Sequence, residues 1–420
     1  MRVRRSLISI LFLCFCIRFL LLIKSPTHDA TAPHELYEEI ELLRDPLKTI
    51  SDSQEYKALA KNLLKGKYTW KEKPVSFRPP GYPLFLSFCL LVTRNEFFPL
   101  FIQIILSVIS AFLIFILGKE VNEKAGLFAS LLFSIDMVSI YYSTNFMSET
   151  LFLFLLLLSA IYFKRNNLYL SGLLLGFCAL TRAIALYSFI VFLPFIKNWK
   201  KVLKFLSFFF IPILPWLIRN YLTFGVPCFT SVQGYNLLYH NAVITENSSR
   251  SRSEIVLKFK EELLKEDTTS NPLKLSLTAQ KIALKKILRK PFRYISLGLF
   301  QGLLNVFRTH GEEVALRLCG YETYSLPLLE IKKLNLKRTT RIFAYSFVCI
   351  ETLINLFALI CFILGIIKLG RRVNFLYLGI VLYFFLLSLP VTSGRFKLPF
   401  MPFIYLIAGS YLFGRIINLF

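Results

Sequence analysis

Ser51-Asp52-Ser53-Gln54-Glu55-Tyr56, followed shortly by Phe77-Arg78-Pro79-Pro80-Gly81-Tyr82-Pro83, is an acidic, polar stretch set just behind the first apolar run of the chain. Most of the remaining sequence is suited to lipid. A carboxylate and an arginine held at a membrane surface point to chemistry on a charged substrate that lives in that membrane. A plain anchor requires neither.

Working outward, 55% of the 420 residues are hydrophobic, and 43 of them are Phe. A soluble protein of this size would expose too much apolar surface, so the class is integral membrane. Lys and Arg number 50 against 25 Asp and Glu, a formal charge of +25. The basic residues fall in short clusters between apolar runs, which reads as topology signalling toward anionic lipid and excludes nucleic-acid binding. Six of the eight cysteines lie in apolar runs, where a thiol acts as a small hydrophobe. Cys228 and Cys319 sit in polar stretches, where a single bridge between them is an open alternative to two free thiols.

The apolar runs predict an all-α membrane protein of roughly ten spans plus two partial ones. The first span is Ser6–Ile23, uncleaved, with Arg18 near its far end and able to snorkel to the interface. Phe97–Leu117, Ala125–Tyr142, Phe146–Phe163 and Val202–Leu217 read as full spans, and Leu168–Leu180 with Ala183–Ile196 as a pair of short ones. Ile342–Lys368, Phe375–Leu389 and Leu398–Ile417 close the chain. Tyr82–Thr93 and Phe292–Phe307 are the partial ones. Residues 24–96 form a first external loop, in which Leu36–Leu43 and Ser53–Leu64 have the spacing of amphipathic surface helices. Residues 219–341 form a second large external region, with a charged helical stretch over Glu254–Asp267.

Placing Arg2–Arg5, Lys164–Arg165, Lys197–Lys201 and Arg371–Arg372 in the cytoplasm satisfies the positive-inside rule. It puts Asp52, the Ser143–Glu149 turn, Thr181-Arg182 and Ser393–Lys397 together on the other side. The expected localisation is therefore the inner (plasma) membrane, multi-pass, with a cytoplasmic N-terminus and a periplasmic or extracellular site.

Among residues that could carry chemistry, Asp52 leads. An interfacial carboxylate can take a proton from an incoming hydroxyl, or it can merely cap a helix together with Ser51, with Glu55 as its partner. Glu149 opens an apolar helix at the same side; the helix dipole alone would favour it there, and so would a role as a second acid. Arg78 is held by Pro79-Pro80, and Arg182, Arg219 and Arg395 sit at helix ends on the same side. Singly each could snorkel; convergent, they suit a lipid phosphate. No ligand set for a metal is legible.

Taken in order, several pieces resemble one family. They are Asp52-x-x-x-Tyr56, Arg78-Pro79-Pro80-Gly81-Tyr82-Pro83-Leu84, Ser148-Glu149-Thr150-Leu151-Phe152, Leu180-Thr181-Arg182, Pro215-Trp216-Leu217-Ile218-Arg219-Asn220-Tyr221, Gly234-Tyr235-Asn236-Leu237-Leu238 and Arg395-Phe396-x-x-Pro399-x-x-Pro402. The chain resembles the bacterial membrane glycosyltransferases of the GT-C fold, the RgtA/B/C/D-like group, related to protein O-mannosyltransferases and the lipid A aminoarabinose transferase. The resemblance implies a single GT-C-like domain over 1–420 and a polyprenyl-phosphate sugar as donor. It implies Asp52 as the catalytic carboxylate, Glu149 as the second active-site acid, and Arg78 near the donor phosphate, joined by Arg219 and Arg395. Tyr56, Tyr82, Arg182, Asn236 and His240 would shape the substrate pocket. Two departures matter. The mannosyltransferases carry an Asp-Glu pair where this chain has Asp52-Ser53, and His240 stands where the family often has Gly before Asn.

The expected activity is sugar transfer to a lipid, glycan or protein acceptor in the cell envelope, lipopolysaccharide biosynthesis being one such setting. Whether a divalent metal is required is left open. The rivals are a polysaccharide polymerase or ligase using a diphosphate-linked donor, and a transporter or flippase, which would place charges at mid-membrane on several helices.

Overall fold

The computed structural model describes residues 2–30, 51–70, 72–246, 251–323, 336–369, 374–389 and 393–414. The architecture is all-α; the strands seen are the two-residue pair Thr69–Trp70 and Lys73–Pro74. Leu36–Leu43 and Arg371–Arg372 lie outside the described residues.

Among the described residues, three helices are long and apolar enough to cross a membrane: Val3–Lys24, Phe97–Lys119 and Arg338–Lys368. Two further spans are bent pairs, Glu123–Ile135 with Met137–Ser143 at 60° and Trp199–Phe210 with Ile213–Phe224 at 52°. The chain is thus multi-pass, but the expected count of ten is not reached on this measure. The remaining apolar helices, such as Gly81–Thr93 and Phe375–Ser388, have 13 and 14 residues, short of the roughly 20 a crossing needs. Ala183–Ile196 is an irregular run of single turns interrupted at Pro194.

The first break explains Arg18. Asp136 ends one helix and caps the next, its Oδ1 accepting from Ser139 N at 2.7 Å. The break strands carbonyls at the end of the first half. Arg18 supplies donors to Ser134 O at 2.9 Å and Phe133 O at 3.3 Å, and reaches Ser107 Oγ and Ser139 Oγ. It is fully buried, so the snorkelling expectation is wrong: a guanidinium with five donors is used to repair a broken helix.

The region after Arg219 is helical, with Pro272–Arg289 packed on both Val232–Asn236 and Arg252–Glu266. It shares a second apolar core, separate from the membrane core, with the first loop: Leu59, Trp70, Val75 and Phe77 pack with Tyr235, Leu238 and Phe259. Gly234 is required there, because a Cβ would meet Ser276 O at 2.2 Å. This shared core is what brings two segments distant in sequence over the same end of the helix bundle. Cys228 and Cys319 are both free thiols.

Candidate active site

Asp52 is the first residue of helix Asp52–Leu63, and Ser51 is its cap, accepting from Gln54 N at 3.5 Å. Asp52 is therefore relieved of capping, and its two oxygens face two different arginines. Oδ1 accepts from Arg78 Nη2 and Oδ2 from Arg395 Nη1, the latter at 2.5 Å. Arg78 also donates from Nε to Glu55 Oε2 at 2.7 Å, so one guanidinium bridges two carboxylates a helical turn apart. Glu55 is thus a buried partner of Arg78 and not a capping-box residue.

The Arg78 segment is anchored by its neighbours. Phe77 is buried against Trp70 and Tyr235, and Tyr68 OH donates to Arg78 O at 2.9 Å. Gly81, which opens the next helix, lies against Leu180 and Thr181; a Cβ would stand 2.7 Å from the Leu180 carbonyl. That approach sets the Arg78 segment beside Arg182, which ends helix Leu168–Thr181. Arg182 pairs with Glu149 and donates to Ser148 Oγ at 3.3 Å, and Tyr56 OH meets the same hydroxyl at 3.3 Å.

Arg395 rides on a single turn, Gly394–Lys397. The turn is pinned by Lys397, whose Nζ lies 3.0 Å from Glu351 Oε1 with both side chains nearly fully buried. Gly394 abuts His310, whose ring links Tyr142 OH at 3.1 Å to Glu313 Oε1 at 3.1 Å.

These groups open onto a cavity of about 390 Å³. Asp52, Tyr56, Arg78, Arg182 and Arg395 line one part of it; Gln233, Asn236, His240, Asn241 and Gln280 line another; Ile184, Tyr187 and Leu387 give an apolar side. Burial would raise the Asp52 carboxyl, but Arg78 and Arg395 outweigh it and hold it well below the ordinary carboxylate range. Burial, then Arg252 and Arg395, push His240 down to about 4, so its imidazole is neutral.

The structure therefore gathers Asp52, Tyr56, Arg78, Arg182, Arg395, Asn236 and His240 around one cavity, with Glu149 directly behind Arg182. It does not bring Arg219 or Tyr82 there. Arg219 donates to Val75 O at 2.6 Å and Tyr68 O at 3.1 Å and lies over Trp216, so it braces the loop that carries Arg78. Tyr82 donates to Gln103 Oε1 at 2.5 Å and sits edge-on behind Tyr56. No three His, Cys, Asp or Glu side chains gather as a metal set among the described residues. Sequence reading missed Lys397, Glu351, Gln233 and Gln280. Polar residues in an apolar helix and in a polar loop gave the only signal, and neither says what they face.

A second hollow, of about 450 Å³, is lined by Lys164, Lys197 and Lys201 with Asn374. Lys164 ends the helix that Glu149 begins, and Leu168 begins the helix that Arg182 caps. The basic hollow and the Asp52 cavity thus lie at opposite ends of the same helices, about 24 Å apart for a 16-residue helix.

Residues 77–218 match the family model of dolichyl-phosphate-mannose-protein mannosyltransferases. That agrees with the relationship to mannosyltransferases read from the motifs. The matched third of the chain contains Arg78, Glu149 and Arg182 but neither Asp52 nor Arg395. No curated protein matches the chain. Among solved structures, it is similar to the apo form of the oligosaccharyltransferase of Archaeoglobus fulgidus, with 14% identity over 97% of this chain and 50% of that one, TM-score 0.47. It is also similar to ArnT from Cupriavidus metallidurans bound to undecaprenyl phosphate, with 10% identity over 97% and 77%, TM-score 0.38. The chain spans about half the length of the archaeal enzyme.

Proposed function

We propose that the protein is a glycosyltransferase that moves a sugar from a polyprenyl-phosphate donor to a hydroxyl of a lipid, glycan or protein acceptor, on the outer face of the membrane. The observation that carries this reading is Asp52 gripped by Arg78 and Arg395 at the wall of a cavity that also has an apolar side. The match to the mannosyltransferase family supports a lipid-monophosphate donor, and the basic hollow at the other end of the helices supports the expected orientation. The same reading keeps 1–420 as one membrane unit whose two extramembrane regions, 24–96 and 219–341, cover the site.

In this mechanism the acceptor oxygen attacks the anomeric carbon while Asp52 takes its proton. The bond from the anomeric carbon to the phosphate oxygen breaks, the configuration inverts, and polyprenyl phosphate leaves with the electron pair. It needs no general acid. Arg395, with Arg78 and Arg182, offsets the charge that grows on the phosphate. Two guanidiniums on Asp52 make it a poor base at rest. A donor phosphate that draws Arg395 toward itself removes one of them and raises the basicity of the carboxylate at the moment it is needed.

The test is transfer by purified protein in lipid, with sugar supplied on polyprenyl monophosphate and on polyprenyl diphosphate separately. Product from the monophosphate alone supports the reading; product from the diphosphate alone supports a polymerase or ligase. The buried charges Arg18 and Glu351 inside helices, and Asp136 at a helix break, favour a transporter as the second reading. Each, however, is engaged by Lys397, Tyr405, Ser139 or backbone carbonyls. Flux in proteoliposomes without a covalent product would establish the transporter.

A further inference from the structure

The hollow at the far end of the Glu149–Lys164 helix holds charge that the transfer reaction does not use. Lys164, Lys197 and Lys201 line it, and no carboxylate is among the described lining residues. Lys164 is already engaged: it pairs with Glu120, and its Nζ lies 3.4 Å from Tyr377 OH. Lys197 and Lys201 are exposed and form no ion pair among the described residues. Solvated lysines are common on any surface. These two, however, border a concavity whose wall is partly apolar, with Phe163, Phe195 and Ile196 in it. We propose that the hollow is a second lipid site: Lys197 and Lys201 hold the phosphate of an anionic glycerophospholipid, and the apolar wall takes the upper part of its acyl chains. The site is separate from the Asp52 cavity and does not depend on the transfer reaction.

Local structure puts the two lysines in an unfavourable place for a cation. The chain passes Ile196 in extended backbone, and Asn198 caps helix Trp199–Phe210, its Oδ1 accepting from Lys200 N at 2.9 Å. Lys197 stands just before that cap, and Lys201 in the first turn after it. The positive end of the helix dipole is there, and the first turn carries no acidic residue to answer it. Lysines and dipole therefore add, and an anion between them relieves both. The rim cannot simply spread to lower the repulsion, because Gly172 and Gly176 of the neighbouring helix lie against the backbone of Phe205 and Phe209. Trp199 is 66% and Phe195 42% exposed, and such rings settle where headgroups meet acyl chains. A free phosphate ion would use the lysines and leave the apolar wall and rim unmatched. A lipid phosphate uses both, and basic pockets at the cytoplasmic end of helices recognise such headgroups.

The experiment titrates the full chain in detergent with phosphatidylglycerol and, separately, with phosphatidylcholine, and counts bound lipid by native mass spectrometry. Wild type is compared with the double variant Lys197→Gln, Lys201→Gln, so that lipid held elsewhere cancels. Affinity for phosphatidylglycerol should fall roughly tenfold in that variant, with phosphatidylcholine unchanged. Arg4→Gln with Arg5→Gln removes the same charge from exposed positions on the face read as cytoplasmic, and should bind phosphatidylglycerol as the wild type does. Phosphatidylglycerol should also raise the unfolding temperature of the wild type more than that of the lysine variant. Inorganic phosphate should compete no better than chloride at the same ionic strength. Competition beyond chloride would make the ligand a free anion and overturn the lipid site. An equal fall in both double variants would reduce the effect to general charge attraction, and equal binding by the wild type and the lysine variant would remove the two lysines from any site.

Discussion

Arg395 donates to Asp52 across 343 residues of sequence, joining the last turn before the final helix to the first residue of the first-loop helix. Asp52 is thereby shared between Arg395 and Arg78, all three lining the cavity. The contact makes the state of Asp52 depend on whatever else Arg395 binds, and that dependence orders the predictions.

Asp52→Asn should lower transfer by at least about a thousandfold while leaving the protein inserted, since the amide keeps the side chain's shape but removes the base and the charge that pairs with Arg78 and Arg395. The two arginines hold the Asp52 carboxyl low, so their contribution to stability is complete above the ordinary carboxylate pKa and is lost only as strong acid protonates it. An acid limb of activity near pH 5 to 6 should therefore be absent from the profile of the free enzyme. Full activity in Asp52→Asn would remove the residue from the mechanism.

Arg395→Ala should raise the KM for donor by roughly tenfold to a hundredfold, the worth of a charge-assisted contact to phosphate, with little change for acceptor. Arg78→Ala should also weaken donor use, and it should in addition destabilise the loop because the buried Arg78–Glu55 ion pair is lost. Equal loss toward donor and acceptor in Arg395→Ala would count against a phosphate role.

Lys397→Met leaves Glu351 as an unpaired buried charge and should cost about 3–5 kcal/mol. Combining it with Glu351→Leu should recover most of that loss, because replacing a buried pair with apolar side chains is often neutral. Thermal unfolding in detergent measures the cycle. A double variant no more stable than Lys397→Met would show that the pair does not act as a unit.

Gly81→Ala should destabilise by about 1–3 kcal/mol, as overpacking does, because its methyl would meet the Leu180 backbone at 2.7 Å. It should also reduce transfer by moving the Arg78 segment away from Arg182. Wild-type stability and rate together would mean that the two helices slide apart freely.

Glu312 is nearly fully buried, and burial followed by the neighbouring Glu313 raises its carboxyl to about 8. A raised acid costs stability once pH passes its unfolded value of 4.5, and the cost grows until about 8. Glu312→Gln should thus be more stable than the wild type by a margin that widens from pH 5 to pH 8 and then levels. A margin independent of pH would place the effect elsewhere.

Apolar run length, basic clusters and turn residues determined a helical multi-pass chain with Asp52, Arg78, Glu149, Arg182 and Arg395 toward one side, because hydropathy and charge act locally. Those signals do not record where a helix bends, so Asp136 passed as part of a continuous span and Arg18 as a snorkelling residue. Nor do they distinguish a helix-end arginine that faces a cavity from one that braces a loop. Arg219 and Arg395 look alike in sequence, and only packing sends the first to the carbonyls of Tyr68 and Val75 and the second to Asp52. The anchoring pair Lys397–Glu351 and the hydrogen bond from Asn241 to Tyr294 belong to the tertiary structure alone. Each depends on a partner 46 or 53 residues away, reached through long-range packing that no local pattern encodes.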